Sequence, residues 1–467
     1  MSRRQRVRES LAQVEQGVQT LQSQRNDLLA QLQATDANLT RMNDERASLV
    51  ESMVVTEADM PDEVLRMIFA EARTLSTPPN PTILLASHVS RRWNRVAVND
   101  RSLWTNVHIT TRERDAVRNV LIYLRRSGDL PIKVTLDLHK RSTVNQFTQF
   151  VLGLLIQNVQ RWLCFSVKTQ NQEPMMMVLS RLQNIAAPRL ERFDLEVGEN
   201  LARSPITFPL FTGGTPLLSS VRMSGIYFTS PLVPSSAVTH LDIGIIPSGR
   251  GGIVPELRHI TSASPSLASL TISHSQVNLA PFSIPALKSL VVSGFQYYMT
   301  DRVCSSIHAP SLESLTLHDS VYVTISDIVK TVRDEATGQP RYPQLRSLDL
   351  SAVPVRCLTE AFMESTSTIT SLSLHSADAN AFLSMIKAQS ENIGNPQNAV
   401  ANDWIPLWRH LHTLTLTRGQ FDEMLLRDML YARLVIHRPI RKLHIRPADY
   451  QDTRFRVYRF PPGYSIL

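Results

Sequence analysis

Pro310-Ser311-Leu312-Glu313-Ser314-Leu315-Thr316-Leu317-His318 carries the reading of the fold. Its leucines follow the pattern L-x-x-L-x-L. Alternation over the last residues puts Leu315 and Leu317 on one face of a short strand and Ser314 and Thr316 on the other. Proline two residues before the first leucine marks a turn entering that strand. Upstream, Pro285 and Leu287 lead to Leu290 and Val292, and Pro265 and Leu267 to Leu270 and Ile272. Val238 leads to Leu241 and Ile243, Pro216 and Leu218 to Val221 and Met223, and Pro188 and Leu190 to Phe193 and Leu195. Downstream, Pro343 and Leu345 lead to Leu348 and Leu350. Ile369, Leu372 and Leu374 follow, then Leu411, Leu414 and Leu416, and Ile440, Leu443 and Ile445. Trp162, Phe165 and Val167 form an earlier, degenerate copy.

A unit recurring about every 28 residues fits leucine-rich repeats with a few insertions. One short strand and its return segment cannot bury an apolar face alone, so stacked copies must share a core beneath a parallel sheet. Helical patterns separate several copies: Val117-Val120-Leu121-Leu124, the stretch from Phe147 to Val159, and Phe382-Leu383-Ile386. The longest insertion reads as a loop from Asn392 to Pro406. The outward positions are small or polar and become basic at the end, through Lys442, His444 and Arg446 to Arg456. Between Arg427 and Arg459, nine Arg/Lys face three Asp. Arginines placed together suit phosphate or carboxylate groups, so these four residues are the candidate target-binding set, for an acidic or phosphorylated protein. The alternative on the same residues is RNA, with Tyr450, Phe455 and Tyr458 among the arginines as stacking groups.

Ahead of the repeats, residues from about 9 to 55 contain no proline. Leu11, Val14, Val18, Leu21, Leu28, Leu32, Leu39, Met42, Leu49 and Met53 keep a 3-4 spacing that only Arg25, Thr35 and Arg46 interrupt. That is a heptad seam along one long helix. It calls for a partner helix and leaves open whether the partner is a second copy. A parallel pair would oppose Arg25 to Arg25 and Arg46 to Arg46, which costs stability.

Between seam and repeats the character changes. Met60-Pro61-Asp62-Glu63-Val64-Leu65 opens a helix, with proline at its first position and acids in its first turn. Ile68, Phe69 and Ala72 continue its apolar face. Thr77 to Pro81 reads as a rigid loop and Ile83 to His88 as a second helix. Ser90 caps a third through Arg91, Arg92 and Trp93. Leu103 and Trp104 close the unit. The opening Pro61, Glu63, Leu65, Ile68 and Phe69, the block from Val89 to Trp93, and the closing Leu103-Trp104 together resemble an F-box. The type is that of large fungal F-box/leucine-rich-repeat families, with Met60 where leucine is usual. "LWTNVHI", "YLRRSGDLPIKVTLDL" and "WRHLHTLTL" extend the resemblance over most of the chain. It implies docking to the Skp adaptor, and through it to a cullin, by Met60, Pro61, Leu65, Ile68, Phe69, Val89 and Trp93. It also implies a non-catalytic subunit that recruits a target for ubiquitin transfer, or an F-box protein with a scaffold role and no degradation.

The expected organisation is therefore α/β. Residues 1–55 form an amphipathic, coiled-coil-type helix, 56–105 a three-helix F-box, and 106–467 an irregular leucine-rich-repeat solenoid. No catalytic, cofactor or metal site is read. Gly249-Arg250-Gly251-Gly252 is a turn rather than a phosphate cradle, and P-loop, zincin and nucleophile-elbow motifs are missing. His274, His318 and His375 recur near strand ends without accompanying ligands. Cys164, Cys304 and Cys357 are too few and too scattered for a disulfide framework. The longest apolar run, Phe150 to Ile156, is too short for a bilayer. With no secretory leader read, a soluble cytoplasmic or nuclear protein is expected.

Overall fold

The computed structural model describes residues 3–53, 60–75, 82–110, 116–138, 146–198, 206–226, 233–234, 236–244, 261, 263–273, 281–293, 299–318, 325–351, 353–375, 379–394, 408–417, 422–446 and 456–459. The chain divides into two compact units, Met1–Asp100 and Arg101–Leu467.

The first unit is helical. Helix α1 runs Arg3–Met53 without a break, and its seam residues from Leu11 to Leu49 are exposed. Three short helices follow: α2 (Asp62–Leu75), α3 (Thr82–Val89) and α4 (Arg91–Asn99). The Ser90 side chain accepts from the Trp93 amide at 3.1 Å and starts α4, satisfying a donor the first turn would leave unpaired. Leu65 and Phe69, one turn apart on α2, are buried, as are Ile83 of α3 and Val96 and Ala97 of α4. The Phe69 ring meets Trp93 edge-on at 5.1 Å.

The second unit is built on one sheet of fourteen strands. They are β1 (Asn106–Thr110), β2 (Ile132–Leu138), β3 (Trp162–Thr169), β4 (Arg192–Val197), β5 (Ser220–Ser224), β6 (His240–Ile243), β7 (Ser269–Ser273), β9 (Ser289–Ser293), β11 (Ser314–His318), β12 (Ser347–Ser351), β13 (Ser371–His375), β14 (Thr413–Thr417), β15 (Lys442–Arg446) and β16 (Arg456–Arg459). They follow chain order, and all are parallel until β16, which pairs antiparallel with β15. Two further short strands, β8 (Phe282–Ser283) and β10 (Ile307–His308), pair with each other in the return layer. Helices Ala116–Arg126, Gln146–Ile156, Gln172–Arg181, Ala379–Gly394 and Glu423–Val435 fill other returns. The sequence reading ended the Ala379 helix early; Asn392 to Gly394 belong to it. The rest of that insertion, the Gly249–Gly252 segment, the Thr77–Pro81 loop and His274 lie outside the described residues.

The proline two residues ahead of the first leucine in six of the repeats has a local cause. The Leu312 amide donates to the Ala309 carbonyl at 3.1 Å, closing a turn with Pro310 at its second position. That is where proline's fixed φ is already correct. The same bond recurs from Leu190 to Ala187, Leu218 to Thr215, Leu267 to Ser264, Leu287 to Ile284 and Leu345 to Tyr342. Each turn ends on a buried leucine and hands the chain to a strand whose inward residues stack in register. Leu290, Leu315, Leu348, Leu372, Leu414 and Leu443 form one continuous row. All of them are buried, at about 1.5–3 kcal/mol of burial each. Near the start, aromatics do this work: Trp162 stacks on Phe165 at 4.3 Å, and Phe165 faces Phe193 at 6.2 Å. Near the end, the buried Arg433 guanidinium donates to the carbonyls of Trp408 and Leu411. Burial lowers its pKa to about 10.

Candidate functional site

Helix α2 has apolar residues on more than its core stripe. Leu65 and Phe69 point into the bundle, whereas Val64, Met67 and Ile68 are exposed beside them, Met67 by 71 %. Leu85 of α3 and Val89 at its end are exposed by 63 % and 60 %. A three-helix bundle of this size cannot bury every apolar residue it carries, and the excess stays on its surface. Of the seven residues expected to dock an adaptor, Pro61, Ile68 and Val89 are exposed, Met60 and Trp93 are half-buried, and Leu65 and Phe69 lie in the core. Leu65 and Phe69 face the interior of the bundle rather than water. They hold α2 against its neighbours and thereby fix the exposed flank. Val64, Met67 and Leu85 are further exposed apolar residues beside these, and the i, i+3, i+4 spacing puts Val64, Met67 and Ile68 on one side of α2.

The orientation of that flank is held by charge. Arg92 of α4 donates to the Asp62 carboxylate from Nε at 3.0 Å and from Nη2 at 2.9 Å, and also to the Met60 carbonyl. Arg95 adds a longer contact to Asp62 at 3.5 Å. The Arg92 hydrogen bonds hold the Asp62 carboxyl below its ordinary pKa.

In the second unit, the outward row of the sheet divides by chemistry. Its first part carries ion pairs: Lys168–Glu196 at 3.4 Å, Arg192–Asp194 at 3.1 Å and Arg222–Asp242 at 3.3 Å. Burial pushes the Asp242 carboxyl upward. Further along, His375 Nε2 lies 3.0 Å from Asp349 Oδ1, and His375 Nδ1 contacts the Thr417 hydroxyl. The His318 ring stands 6.3 Å from that of His375. The recurrence of histidines was legible in sequence; the strand register supplied Asp349 and Thr417. Among the described residues, no group of three His, Cys, Asp or Glu side chains is placed to hold a metal. Nor, among them, is any helix long and apolar enough to cross a membrane.

The candidate target residues lie at the end of the sheet. Lys442 and His444 alternate along β15 and are half-exposed. Arg446 ends that strand, and the side chains of Arg446, Arg456 and Arg459 are outside the described set. β16 pairs with β15 in an antiparallel register. Arg456 pairs with Ile445, whereas Arg459 pairs with Lys442.

The geometry defines a class: a module of short helices with exposed apolar residues, followed in the chain by a long parallel sheet. The family assignment agrees with the first half of that description. Residues 58–110 match the family described as F-box-like. No curated protein matches the chain. F-box domains bind the Skp adaptor of Skp–cullin–F-box ligases, and F-box proteins are in general non-catalytic adaptors.

Proposed function

We propose that the chain is the substrate-recruiting subunit of a Skp–cullin–F-box ubiquitin ligase. The F-box docks the Skp adaptor, and through it the cullin. The parallel-stranded unit acts as a leucine-rich-repeat solenoid that holds a target protein, and ubiquitin transfer is done by other subunits. The assembly works in the cytoplasm or nucleus. The observation that carries this reading is the exposed apolar flank of Val64, Met67, Ile68, Leu85 and Val89 within the F-box-like match. Burying such a patch is what binds two proteins whose contact is apolar at its centre.

The test is co-purification of the full chain with the Skp adaptor. Ile68→Asp together with Leu85→Asp abolishes the complex while the sheet unit keeps its circular dichroism, because both side chains are already exposed. Undiminished binding overturns the reading. Loss of adaptor binding without change in the half-life of any captured protein points to the scaffold role instead.

A further inference from the structure

Helix α1 leaves the seam residues from Leu11 to Leu49 open to water. Leu21 is exposed by 66 %, Leu28 by 64 %, Leu32 by 59 % and Met42 by 65 %. A 51-residue helix with an open apolar stripe leaves far more apolar surface in water than single exposed leucines do. Arg25 and Arg46 interrupt the stripe, and their positions select the occupant.

We infer that α1 pairs with α1 of a second copy, antiparallel, about a two-fold axis at the level of Ala30. In antiparallel coils, first-seam positions face second-seam positions of the partner strand, and each such side chain also borders the residue after its opposite number. With the axis at Ala30, Leu32 faces Leu28, Leu39 faces Leu21, Val18 faces Met42 and Leu11 faces Leu49. Arg25 faces Thr35 and borders Asp36; Arg46 faces Val14 and borders Glu15. Both seam cations thus meet a carboxylate. Leu29, exposed on the flank of the seam, meets its own copy across the axis and widens the apolar centre.

The alternatives fail on the same residues. A parallel pair puts Arg25 on Arg25 with only Gln24 beside it, and Arg46 on Arg46 with Glu45 beside it, so only one of the two cations meets a carboxylate. An antiparallel pair slipped by one heptad borders Arg46 with Arg8 in one direction and Gln22 in the other, so the charge match is lost. Opposed like charges specify against a register, and matched ones specify for it. The observations that carry the pairing are the exposed seam and the two Arg–acid matches, which do not depend on the adaptor reading.

The experiment uses the full chain. Light scattering gives the dimer mass at micromolar concentration for the native sequence. Arg46→Glu shifts it toward monomer, and adding Glu15→Arg to that variant restores the dimer. In a parallel pair the second change restores nothing, because residues 46 and 15 never meet. Mixing a Leu28→Cys copy with a Leu32→Cys copy and oxidising gives the mixed cross-link, located by mass spectrometry. A monomeric native chain, failure of the charge repair, or cross-links only between like-numbered positions each overturn the proposal. All variants are at exposed positions, and helicity checks that α1 remains formed.

Discussion

Arg92 and Asp62, thirty residues apart, meet at 2.9 Å and tie the first turn of α4 to the first turn of α2. Both side chains are partly open to water, so the contact orients the helices more than it stabilises them. Its consequence is nonetheless pH-dependent. A carboxylate whose folded pKa is lowered contributes stability above its ordinary pKa and loses it as pH falls through the folded value. Asp62→Asn removes that acid-sensitive contribution. Amide exchange in α2 and α4 is then faster at neutral pH and closer to pH-independent in the acid range, once corrected for intrinsic rates. Identical protection in the variant and the native chain shows that Asp62 orients nothing.

Inward and outward residues of one strand differ sharply in tolerance. Leu315 is fully buried between Leu290 and Leu348, whereas Thr316 is half-exposed. Leu315→Asp costs several kcal/mol, on the order of the penalty for an uncompensated buried charge, and weakens neighbouring strands with it. Thr316→Asp costs less than about 1 kcal/mol, as an outward surface change. Denaturant midpoints of the two variants check this. Equal losses contradict the strand alternation.

The core also limits the chain at high pH. Burial pushes the Cys304 thiol from 9.0 up to about 12, and it pushes the neighbouring Tyr342 hydroxyl well above its usual range. Tyr342 donates to the Cys304 carbonyl at 3.1 Å. A raised folded pKa gives stability that is complete below the unfolded value and lost as pH rises toward the folded one. The denaturant midpoint therefore declines from about pH 9 upward, and Cys304→Ala makes that decline shallower. Tyr342→Phe also loses a hydrogen bond, for about 0.5–1.5 kcal/mol at neutral pH. In the native fold a bulky thiol reagent reaches Cys164 first, since Cys304 and Cys357 are buried. Labelling of all three at equal rates excludes this core.

If the end of the sheet captures an acidic or phosphorylated target, the basic residues in one row are the ones that matter. Reversing Lys442, Arg446 and Arg459 to Glu then lowers target recovery at least tenfold, about 1.4 kcal/mol or more, with adaptor recovery unchanged. Arg456→Glu has the smaller effect, because Arg456 pairs with Ile445. Paired pull-downs at moderate salt compare the variants. Survival of the target set after the triple reversal moves the site elsewhere on the sheet, and a steep salt dependence of RNA recovery on these residues favours nucleic acid instead.

What the sequence determined by itself was whatever follows from spacing along the chain. The alternation of Leu315 and Leu317 with Ser314 and Thr316 placed a strand. Pro310 ahead of Leu312 placed its turn, and the 3-4 spacing from Leu11 to Leu49 placed α1. Eleven strands from Trp162–Thr169 to Lys442–Arg446 fall where the pattern put them. β1 and β2 were not read as strands: they lack the proline turn and carry Val, Ile and Leu without the repeat's full spacing. Tertiary structure decided what depends on a partner distant in sequence. Whether Leu65 supports or contacts is fixed by α4 packing against α2, and both roles are apolar on paper. His375 gains Asp349 and Thr417 only because three parallel strands align in register, and Lys442 pairs with Arg459 along the backbone only because β16 turns back antiparallel. Periodicity is a local property of the backbone, so it survives in one dimension. Which face is covered, and by what, is set by contacts that no spacing along the chain encodes.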